Sequence, residues 1–356
     1  MFYFCGVNIH QKYILRCIEL AKKGLGTTAP NPMVGCVIVH DQKIIGEGFT
    51  DPYGGPHAEV NAINSVTDKS LLKDASLYVT LEPCSHYGKT PPCADLIAKH
   101  QLKEVFIGLQ DPHDKVAGKG IKKLEDAGCK VTVGILEDEC REHHKRFLTF
   151  QEKKRPYIIL KWAESNDGFL SPDTSKRSEN PEPFWITNSH SKQLVHQWRS
   201  QEQAILAGTN TILEDNPKLT TRNWAGKDPI RVVLDRDLKI DSSHHVLDKA
   251  VQTIILTKIE DASKYIAGID YVAIDFSQPL AQQICNALHQ HNITSVIIEG
   301  GAKMLQTFID ENLWDEARVF KGAVCFEKGL LAPKLFGTLS YQKQILTDTL
   351  SIYRND

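Results

Sequence analysis

Four residues in the first half of the chain have the types and the spacing of a hydrolytic metal centre. His57 and Glu59 lie two positions apart at the start of a predicted helix, while Cys84 and Cys93 flank a loop that leads into another predicted helix. One imidazole and two thiolates supply three ligands to a zinc ion, and a catalytic zinc keeps its fourth position for water. Glu59 can then face that water, take a proton from it and later donate one to a leaving amine.

Two other interpretations of these residues require no catalysis. Each residue taken alone is more often a packing residue, since free cysteine is among the most buried residue types. A structural zinc site would need a fourth protein ligand, and His86 is the candidate nearby. The combination favours catalysis, because His-x-Glu followed by Pro-Cys and a second Cys is typical of zinc-dependent nucleobase deaminases. We therefore expect one Zn²⁺ per chain, held by His57, Cys84 and Cys93, with Glu59 as the catalytic residue.

The segments around these residues predict an α/β domain. A helix is predicted over 8–24, followed by a hairpin of strands at 34–39 and 43–48. Beyond the hairpin, strands are predicted at 76–80, 104–108 and 130–133, and helices at 57–65, 92–100 and 118–127. Strands that alternate with helices indicate a three-layer domain with a largely parallel sheet.

The length of 356 residues predicts at least two domains. The charged stretch 141–156 is interpreted as the end of a helix plus a linker, and a strand at 157–161 begins the second half. Further strands predicted in that half, at 203–207, 230–235, 253–257 and 295–299, again indicate an α/β domain. The sequence therefore predicts one domain over 1–150 and a second over 151–356.

Composition limits the partners and the compartment. Lys and Arg number 42 against 44 Asp and Glu, a net charge of −2, which argues against a nucleic-acid-binding protein. No apolar run reaches the roughly 18 residues of a membrane span. The odd count of nine cysteines and a start without signal-peptide features predict a cytoplasmic protein. We expect a small-molecule substrate, no nucleic acid, no membrane, and a homo-oligomer, dimeric or tetrameric.

The cysteine spacing narrows the deaminase class. Deaminases of nucleosides and nucleic acids generally place two residues between their cysteines, whereas this chain places eight in the run TLEPCSHYGKTPPC at 80–93. That run, TAPNPMVG at 28–35, and QDP with VAGKG at 110–112 and 116–120 resemble the bifunctional riboflavin-biosynthesis deaminase/reductase family. The resemblance implies a cytidine-deaminase-like first domain. Its implied substrate is a diaminopyrimidinone carrying ribosylamino 5-phosphate, whose 2-amino group is replaced by water.

Three polar residues are expected to hold that substrate. The insertion between the cysteines brings His86 and Lys89 beside the metal, as a hydrogen-bond donor and a cation suited to the pyrimidinone and the phosphate. Asn31, in the turn between Pro30 and Pro32, can present its amide to the edge of the base. A solvated loop charge is the alternative for Lys89.

The second half contains no G-x-G-x-x-G, so a Rossmann dinucleotide site has no support. It contains instead VIIEGGAKML at 296–305, in which a diglycine separates a strand from a helix. Glycines admit a phosphate close to the backbone and a helix N-terminus offers free N–H groups, although such a turn alone is more often plain geometry. Several motifs of this half occur in the order expected of the family's reductase domain and resemble it. They are KWAESNDG at 161–168, WIT at 185–187, AILAGTNT at 204–211, DNP at 215–217, LTTR at 219–222, RVVLD at 231–235 and EGG at 299–301. The resemblance implies a dihydrofolate-reductase-like fold and NADPH reduction of the ribosyl group to ribityl.

The resemblance also assigns residues to the reductase site. The implied cofactor-binding residues are Ala163, Trp185, Thr211, Asp215, Gly300, Gly301, Ala302, Lys303, Met304 and Leu305. The implied substrate-binding residues are Arg199, Leu219, Arg222 and Glu299. The two arginines suit the 5-phosphate, which a guanidinium pairs bidentately, and Asp215 is the candidate to assist proton supply.

Two departures from the family pattern weaken the expected substrate contacts of the reductase. Phe169 stands where a basic residue is usual, and Pro183 stands where a serine is common. Proline has neither a hydroxyl nor a backbone N–H to offer. A deaminase with a catalytically weak, structural second domain is therefore the alternative enzyme. A nucleic-acid-editing protein built on the deaminase fold is the alternative from another class, and it predicts a basic groove with stacking aromatics.

Overall fold

The computed structural model describes residues 8–87, 91–112, 117–173 and 184–355. The chain divides into two compact units, Met1–Lys154 and Arg155–Asp356, called here the first and the second unit. None of the described helices combines the length and the apolar character of a bilayer-spanning segment. Each unit contains a β-sheet with helices, which confirms the predicted α/β class for both halves.

The first unit is built on a five-stranded sheet of order β2-β1-β3-β4-β5. The strands are β1 Gly35–His40, β2 Lys43–Phe49, β3 Ser76–Val79, β4 Glu104–Ile107 and β5 Lys130–Val133. The pairs β3–β4 and β4–β5 are parallel, whereas β1 is antiparallel to both β2 and β3. The sheet is therefore mixed rather than largely parallel, because the β1–β2 hairpin supplies an antiparallel neighbour to β3.

Among its described residues the first unit has five α-helices: α1 Ile9–Ala21, α2 Ala58–Ser65, α3 Cys93–Lys99, α4 Lys119–Asp126 and α5 Glu137–Lys153. The prediction of a helix end plus a linker over 141–156 is right in its helical part and wrong in its linker, because α5 continues to Lys153. Cys140, His144 and Leu148 lie at four-residue spacing and are buried on one face of α5. The surrounding charges are the solvated face of the same helix.

The second unit contains a nine-stranded sheet of order β11-β10-β9-β8-β12-β6-β13-β16-β15. Strands β11 to β13 in that order are parallel, and β16 and β15 close the sheet in antiparallel fashion. The bounds are β6 Tyr157–Glu164, β8 Ala204–Gly208, β9 Ile230–Leu234, β10 Thr253–Thr257, β11 Asp270–Ala273, β12 Ser295–Ile298, β13 Glu316–Lys321, β15 Thr338–Ile345 and β16 Asp348–Arg354. A separate antiparallel pair joins β7 Phe169–Pro172 to β14 Gly329–Leu331.

The helices of the second unit are α6 Ser189–Gln201, α7 Thr209–Asp215, α8 Leu280–Gln290 and α9 Ala302–Asp310. The buried apolar core joins the central strands to α8 and α9, with Phe308 and Trp314 among its largest members. Helix α7 follows β8 directly, and α9 follows β12 after a short turn. Because parallel strands end at the same edge of a sheet, both helices begin at its carboxyl edge, where ligands of α/β proteins bind.

Candidate functional site

Three donor atoms converge in the first unit. His57 Nδ1 lies 3.6 Å from Cys84 Sγ and 3.4 Å from Cys93 Sγ, and all three atoms lie within 4.8 Å of one another. For tetrahedral zinc with Zn–S of about 2.3 Å and Zn–N of about 2.0 Å, a nitrogen and a sulfur ligand are about 3.5 Å apart. Both nitrogen–sulfur distances therefore fit a zinc ion. They form the only group of three or more such donors found among the described residues.

The histidine owes its position to close packing between a helix and a strand. His57 is the N-cap residue of α2, and Glu59 lies in the first turn of that helix. A Cβ on Gly48 of β2 would lie 2.3 Å from both Ala58 O and Ala62 N, so only glycine permits this approach. The sequence predicts Gly48 in a strand, but it does not reveal that this glycine determines how closely α2 packs against the sheet.

The two cysteines are brought together by a loop and a helix start. Cys84 lies in the loop after β3, and Cys93 is the first residue of α3. The backbone N–H of Cys93 donates to Cys84 Sγ at 3.3 Å. Hydrogen bonding from the Cys93 thiol, with further contributions from His57 and this N–H, outweighs burial and lowers the pKa of Cys84 to about 4. This shift favours the thiolate form of Cys84, which is the form that binds metal.

Glu59 is buried beside this cluster, with 3% of its surface exposed. Burial, reinforced by the negative charge of Cys84 and opposed by His57, raises the pKa of Glu59 to about 7. A carboxyl group with such a pKa both accepts and releases a proton near neutral pH, as a general acid–base needs.

The predicted substrate residues of the first unit are not gathered as tightly. His86 is exposed and lies outside the donor cluster, and a fourth protein ligand is not found among the described residues. Asn31 is half-buried, and its backbone N–H donates to Thr28 O at 2.9 Å. Lys89 lies outside the described residues. The structural-zinc interpretation thus gains no support from His86, and the substrate roles stay predictions.

In the second unit a largely buried charge cluster lies at the carboxyl edge of the sheet, with side-chain exposures of 6% to 16%. Glu299, directly after β12, accepts from Arg199 Nε at 2.9 Å and Nη2 at 2.7 Å, and Lys161 Nζ lies 3.6 Å away. Burial opposes ionisation of Glu299, yet Arg199 and Lys161 outweigh it and lower its pKa to about 2. Burial lowers the pKa of Lys161, and Glu299 opposes this shift.

Sequence reasoning missed Lys161 as a site residue. Its signal was visible, because Lys161 is the one charged side chain inside the buried run from Tyr157 to Ala163 of β6. A lysine at such a position needs a charged partner or a function. The partner is Glu299, which is more than a hundred residues away in sequence.

The second predicted arginine lies beside the same cluster. Arg222 is exposed, its backbone N–H donates to His196 Nδ1 at 3.3 Å, and its guanidinium reaches Thr220 Oγ1 at 3.4 Å. The backbone oxygen of Thr220 also accepts from Arg199 Nη1 at 3.1 Å. Positive charge from Arg199 contributes to a lowered pKa of Arg222, after the larger effect of burial. Two neighbouring guanidinium groups are suited to an anionic ligand.

The diglycine turn forms a tight backbone cradle. A Cβ on Gly300 would lie 2.9 Å from Thr211 Oγ1, and Gly301 has a φ of +64°. Gly301 is the N-cap residue of α9 and receives no side-chain cap. Of the run that follows, Ala302 is half-buried, Lys303 is exposed, and Met304 and Leu305 are buried in the core. The turn, the helix start and Thr211 are therefore neighbours at this edge of the sheet.

The remaining predicted reductase residues differ in accessibility. Trp185 is 66% exposed, with Lys192 Nζ 3.4 Å from its ring centroid. Asp215 is exposed at the end of α7, and Ala163 is half-buried on β6. The Leu219 side chain is buried in a core cluster with Ile205 and Ile212, which leaves only its backbone to contact a substrate.

The two departures from the family pattern have different outcomes. Phe169 begins β7, and its backbone N–H donates to Ser165 Oγ at 2.9 Å. Pro183 lies outside the described residues. That these two residues weaken substrate binding by the reductase therefore stays a prediction.

Two family models match this chain. The model described as the cytidine and deoxycytidylate deaminase zinc-binding region matches residues 7–109. The model described as the RibD C-terminal domain matches residues 156–346. The first match includes the donor cluster, and the second includes the charge cluster and the diglycine turn.

Named relatives cover nearly the whole chain. The riboflavin biosynthesis protein RibD of Bacillus amyloliquefaciens is 40% identical over 341 residues, which is 94% of this chain and 90% of the relative. The RibD protein of Escherichia coli is 33% identical over 342 residues, covering 92% and 88%.

Solved structures agree in fold with this chain. The crystal structure of a diaminohydroxyphosphoribosylaminopyrimidine deaminase/5-amino-6-(5-phosphoribosylamino)uracil reductase from Thermotoga maritima matches with a TM-score of 0.87 and 36% identity, covering 97% of this chain and 98% of that one. A structure of RibD from Acinetobacter baumannii matches with a TM-score of 0.87 and 34% identity over the same shares.

Proposed function

The chain belongs to the family of the riboflavin biosynthesis protein RibD, and from this membership we propose that it is a bifunctional enzyme of riboflavin synthesis. The first unit hydrolyses the 2-amino group of 2,5-diamino-6-(5-phosphoribosylamino)pyrimidin-4-one. The second unit then reduces the ribosyl side chain of the product to ribityl with NADPH. The observation that carries the proposal is the convergence of His57, Cys84 and Cys93 beside a buried Glu59.

In the deaminase site, the residues hold the metal and move one proton. His57, Cys84 and Cys93 would hold zinc, which supplies Lewis-acid activation of water when bound. Glu59, with a pKa of about 7, accepts a proton from the attacking water through its carboxylate. The protonated carboxyl group then donates to the departing amine, so that ammonia leaves as a neutral molecule. His86, Asn31 and Lys89 stay proposed contacts for the base and the phosphate.

In the reductase site, the described residues fit a phosphorylated sugar and a dinucleotide. The Gly300–Gly301 turn and the uncapped start of α9 offer backbone N–H groups to a pyrophosphate, with Thr211 alongside. NADPH supplies the hydride when bound. Arg199 and Arg222 provide cations for the 5-phosphate.

Proton supply in the reductase site has two candidates. Glu299 is ionised and can accept from substrate hydroxyls. Lys161 is held by Glu299 at the same edge and joins Asp215 as a candidate proton donor. Lys161 lies within the charge cluster with 16% of its side chain exposed, whereas Asp215 is exposed at the end of α7.

The two steps are tested separately on the purified chain. With the diaminopyrimidinone substrate, the zinc-loaded protein should give a product heavier by about 1 Da, because an amine is exchanged for an oxo group. With the deaminated intermediate, it should oxidise NADPH and yield the ribityl product. Deamination without substrate-dependent NADPH oxidation would restore the alternative of a structural second unit.

The location and assembly of the enzyme are further parts of the proposal. The described cysteines are free thiols, which supports a reducing, cytoplasmic compartment. Strand β15 is an edge strand of its sheet and carries Leu339 and Tyr341, which are 48% and 49% exposed, while Phe336 just before it is 81% exposed. An open strand edge with apolar side chains is typical of an interface and supports a homo-oligomer. Size-exclusion chromatography coupled to light scattering measures the oligomeric state of the purified protein.

A further inference from the structure

Glu82 lies two residues before Cys84 and has no role in the chemistry described above. It is 4% exposed, and the four hydrogen bonds described for its carboxylate all come from backbone N–H groups. Oε1 accepts from Gly120 at 2.9 Å and Ile121 at 3.2 Å. Oε2 accepts from Gly118 at 3.0 Å and Asp111 at 3.3 Å. One buried carboxylate thus holds four donors from a distant segment.

Three of the four donors belong to QDP and VAGKG, two motifs that the proposed function leaves unused. Gly118 is the N-cap residue of α4, has a φ of +77°, and supplies no side-chain cap to its own helix. Glu82 supplies that cap from a different part of the chain, and its negative charge is favourable at a helix N-terminus. Asp111 extends the contact to the segment that follows β4. QDP at 110–112 and the described part of VAGKG, 117–120, therefore meet at one carboxylate, through Asp111, Gly118 and Gly120. The fourth donor, Ile121, directly follows VAGKG.

A second contact holds the same segment against the cysteine loop. A Cβ on Gly120 would lie 2.1 Å from Pro83 O, so only glycine allows the first turn of α4 to approach this loop. Lys123 of α4 forms a salt bridge with Asp95 of α3, the helix that begins at Cys93. Helix α4 is thereby tied to both of the elements that carry the cysteines.

The position of this segment relative to the sheet suggests what it contacts. Strands β3 and β4 are parallel neighbours, so the chain leaves both of them at the same edge. The cysteine loop follows β3, and the segment that Glu82 holds follows β4. Substrates of α/β proteins lie in the crevice outside the carboxyl ends of the strands. A segment fixed at this edge beside the donor cluster is placed to form a wall of the substrate pocket.

We propose that Glu82 is a positioning residue for deamination: it clamps residues 111–112 and 117–121 against the cysteine loop, where this segment binds the pyrimidine substrate. This inference rests on the proposed deaminase function. The hydrogen bonds described for the Glu82 carboxylate all go to backbone N–H groups outside the donor cluster. Its loss should weaken substrate binding and leave the metal and the proton transfer in place.

The test is the split between KM and kcat in Glu82→Gln. Glutamine keeps the size of the side chain but turns an N–H₂ group towards backbone donors, so one pair of hydrogen bonds is lost. We expect full zinc content, a KM for the diaminopyrimidinone raised about tenfold, and a kcat within about threefold of wild type. Glu82→Asp, which keeps the charge and both acceptor oxygens, should recover most of the increase in KM. NADPH oxidation with the deaminated intermediate should be unchanged.

Glu311→Gln is the matched control. Glu311 also accepts from three backbone N–H groups at a helix start, those of Leu280, Ala281 and Gln282, but it lies in the second unit. The KM of the Glu311→Gln variant for deamination should equal that of wild type. If Glu82→Gln does not fold, Gly120→Ala provides the same test, since the added Cβ pushes the segment from Pro83 while the carboxylate remains.

Three results separate the possibilities. A zinc-loaded, folded variant with the wild-type KM overturns the positioning role. Loss of zinc together with kcat, at unchanged KM, also overturns it, because Glu82 would then only maintain the metal loop. A wild-type chain that does not deaminate refutes the proposed function itself, and that result is obtained before any variant is made.

Discussion

Gly48→Ala tests whether the packing of α2 on β2 positions the deaminase chemistry. The added Cβ would lie 2.3 Å from Ala58 O and Ala62 N, whereas ordinary contact begins at 3.4 Å. Because both atoms are backbone, the helix must withdraw by about 1 Å, carrying His57 and Glu59 with it. A misplacement of about 1 Å can cost about a hundredfold in rate, which corresponds to about 2.7 kcal/mol of transition-state stabilisation. Overpacking should also lower the free energy of unfolding by about 1–3 kcal/mol.

The assay compares the two activities of one preparation. Deamination is followed by the mass of the product, and reduction by NADPH oxidation with the deaminated intermediate supplied directly. We expect deamination to fall about a hundredfold and reduction to stay at the wild-type rate. Zinc content, measured on the same sample, shows whether the rate is lost through the metal or through the position of Glu59.

Gly128→Ala is the matched control for stability. Gly128 has a φ of +88°, and a Cβ there would meet nothing within 4 Å. The variant therefore strains the backbone by about 1–2 kcal/mol without displacing α2. Wild-type deamination in Gly48→Ala would refute the packing argument. A parallel fall of both activities, or an equal loss of deamination in Gly128→Ala, would show that destabilisation rather than displacement is responsible.

Three further predictions concern single side chains. Glu59→Gln should keep its zinc and its NADPH oxidation while deamination falls about 10²–10⁴-fold, because the proton carrier is gone; product mass and metal analysis measure this, and unimpaired deamination would contradict it. Cys84→Ser should lower the zinc content of the dialysed protein well below one per chain, since a thiolate ligand is lost; stoichiometric zinc would exclude Cys84 as a ligand. Glu299→Gln should destabilise the protein by about 3 kcal/mol at neutral pH, because Arg199 and Lys161 lose a buried partner. The pKa of Glu299 is lowered from 4.5 to about 2, so its stabilising contribution is present above about pH 4.5 and is lost as the pH falls towards 2. The difference in unfolding free energy between wild type and this variant should therefore shrink across that range in denaturant titrations, and a constant difference would contradict the assignment.

The predicted strands correspond closely to observed ones because their signals are local. Runs of β-branched and aliphatic residues such as 253–257 and 204–207 mark strands that are buried on both faces. The charged stretch that begins at Arg141 was interpreted in part as a linker because its local composition is dominated by charge. Its buried stripe at Cys140, His144 and Leu148 is only one face of α5, and the charges around it dominate the composition. A helix whose remaining surface is solvated resembles a linker until its buried face is seen.

The zinc donors were predictable because the chemistry demands particular residue types in a particular order. His57 and Cys93 stand at helix starts, and Cys84 lies in the loop between β3 and α3. The charge cluster of the second unit was predictable only in part. Arg199 and Glu299 came from motif order, but Lys161 emerged as their partner only through its 3.6 Å approach to Glu299. That approach requires β6 to lie beside β12, a pairing set by the whole sheet.

The sequence by itself determined which chemistry we propose for this protein, since the metal-ligand types, the proposed proton carrier and the diglycine turn are properties of residue identity and short-range order. Tertiary structure alone decided which groups meet. The clamp from Glu82 to the start of α4 and the contact of Gly48 with α2 join segments that no local pattern links. The physical reason is that hydrogen bonds and van der Waals contacts act over a few ångströms in space, whatever the distance along the chain. Strand order and helix packing must therefore exist before these partners can be identified.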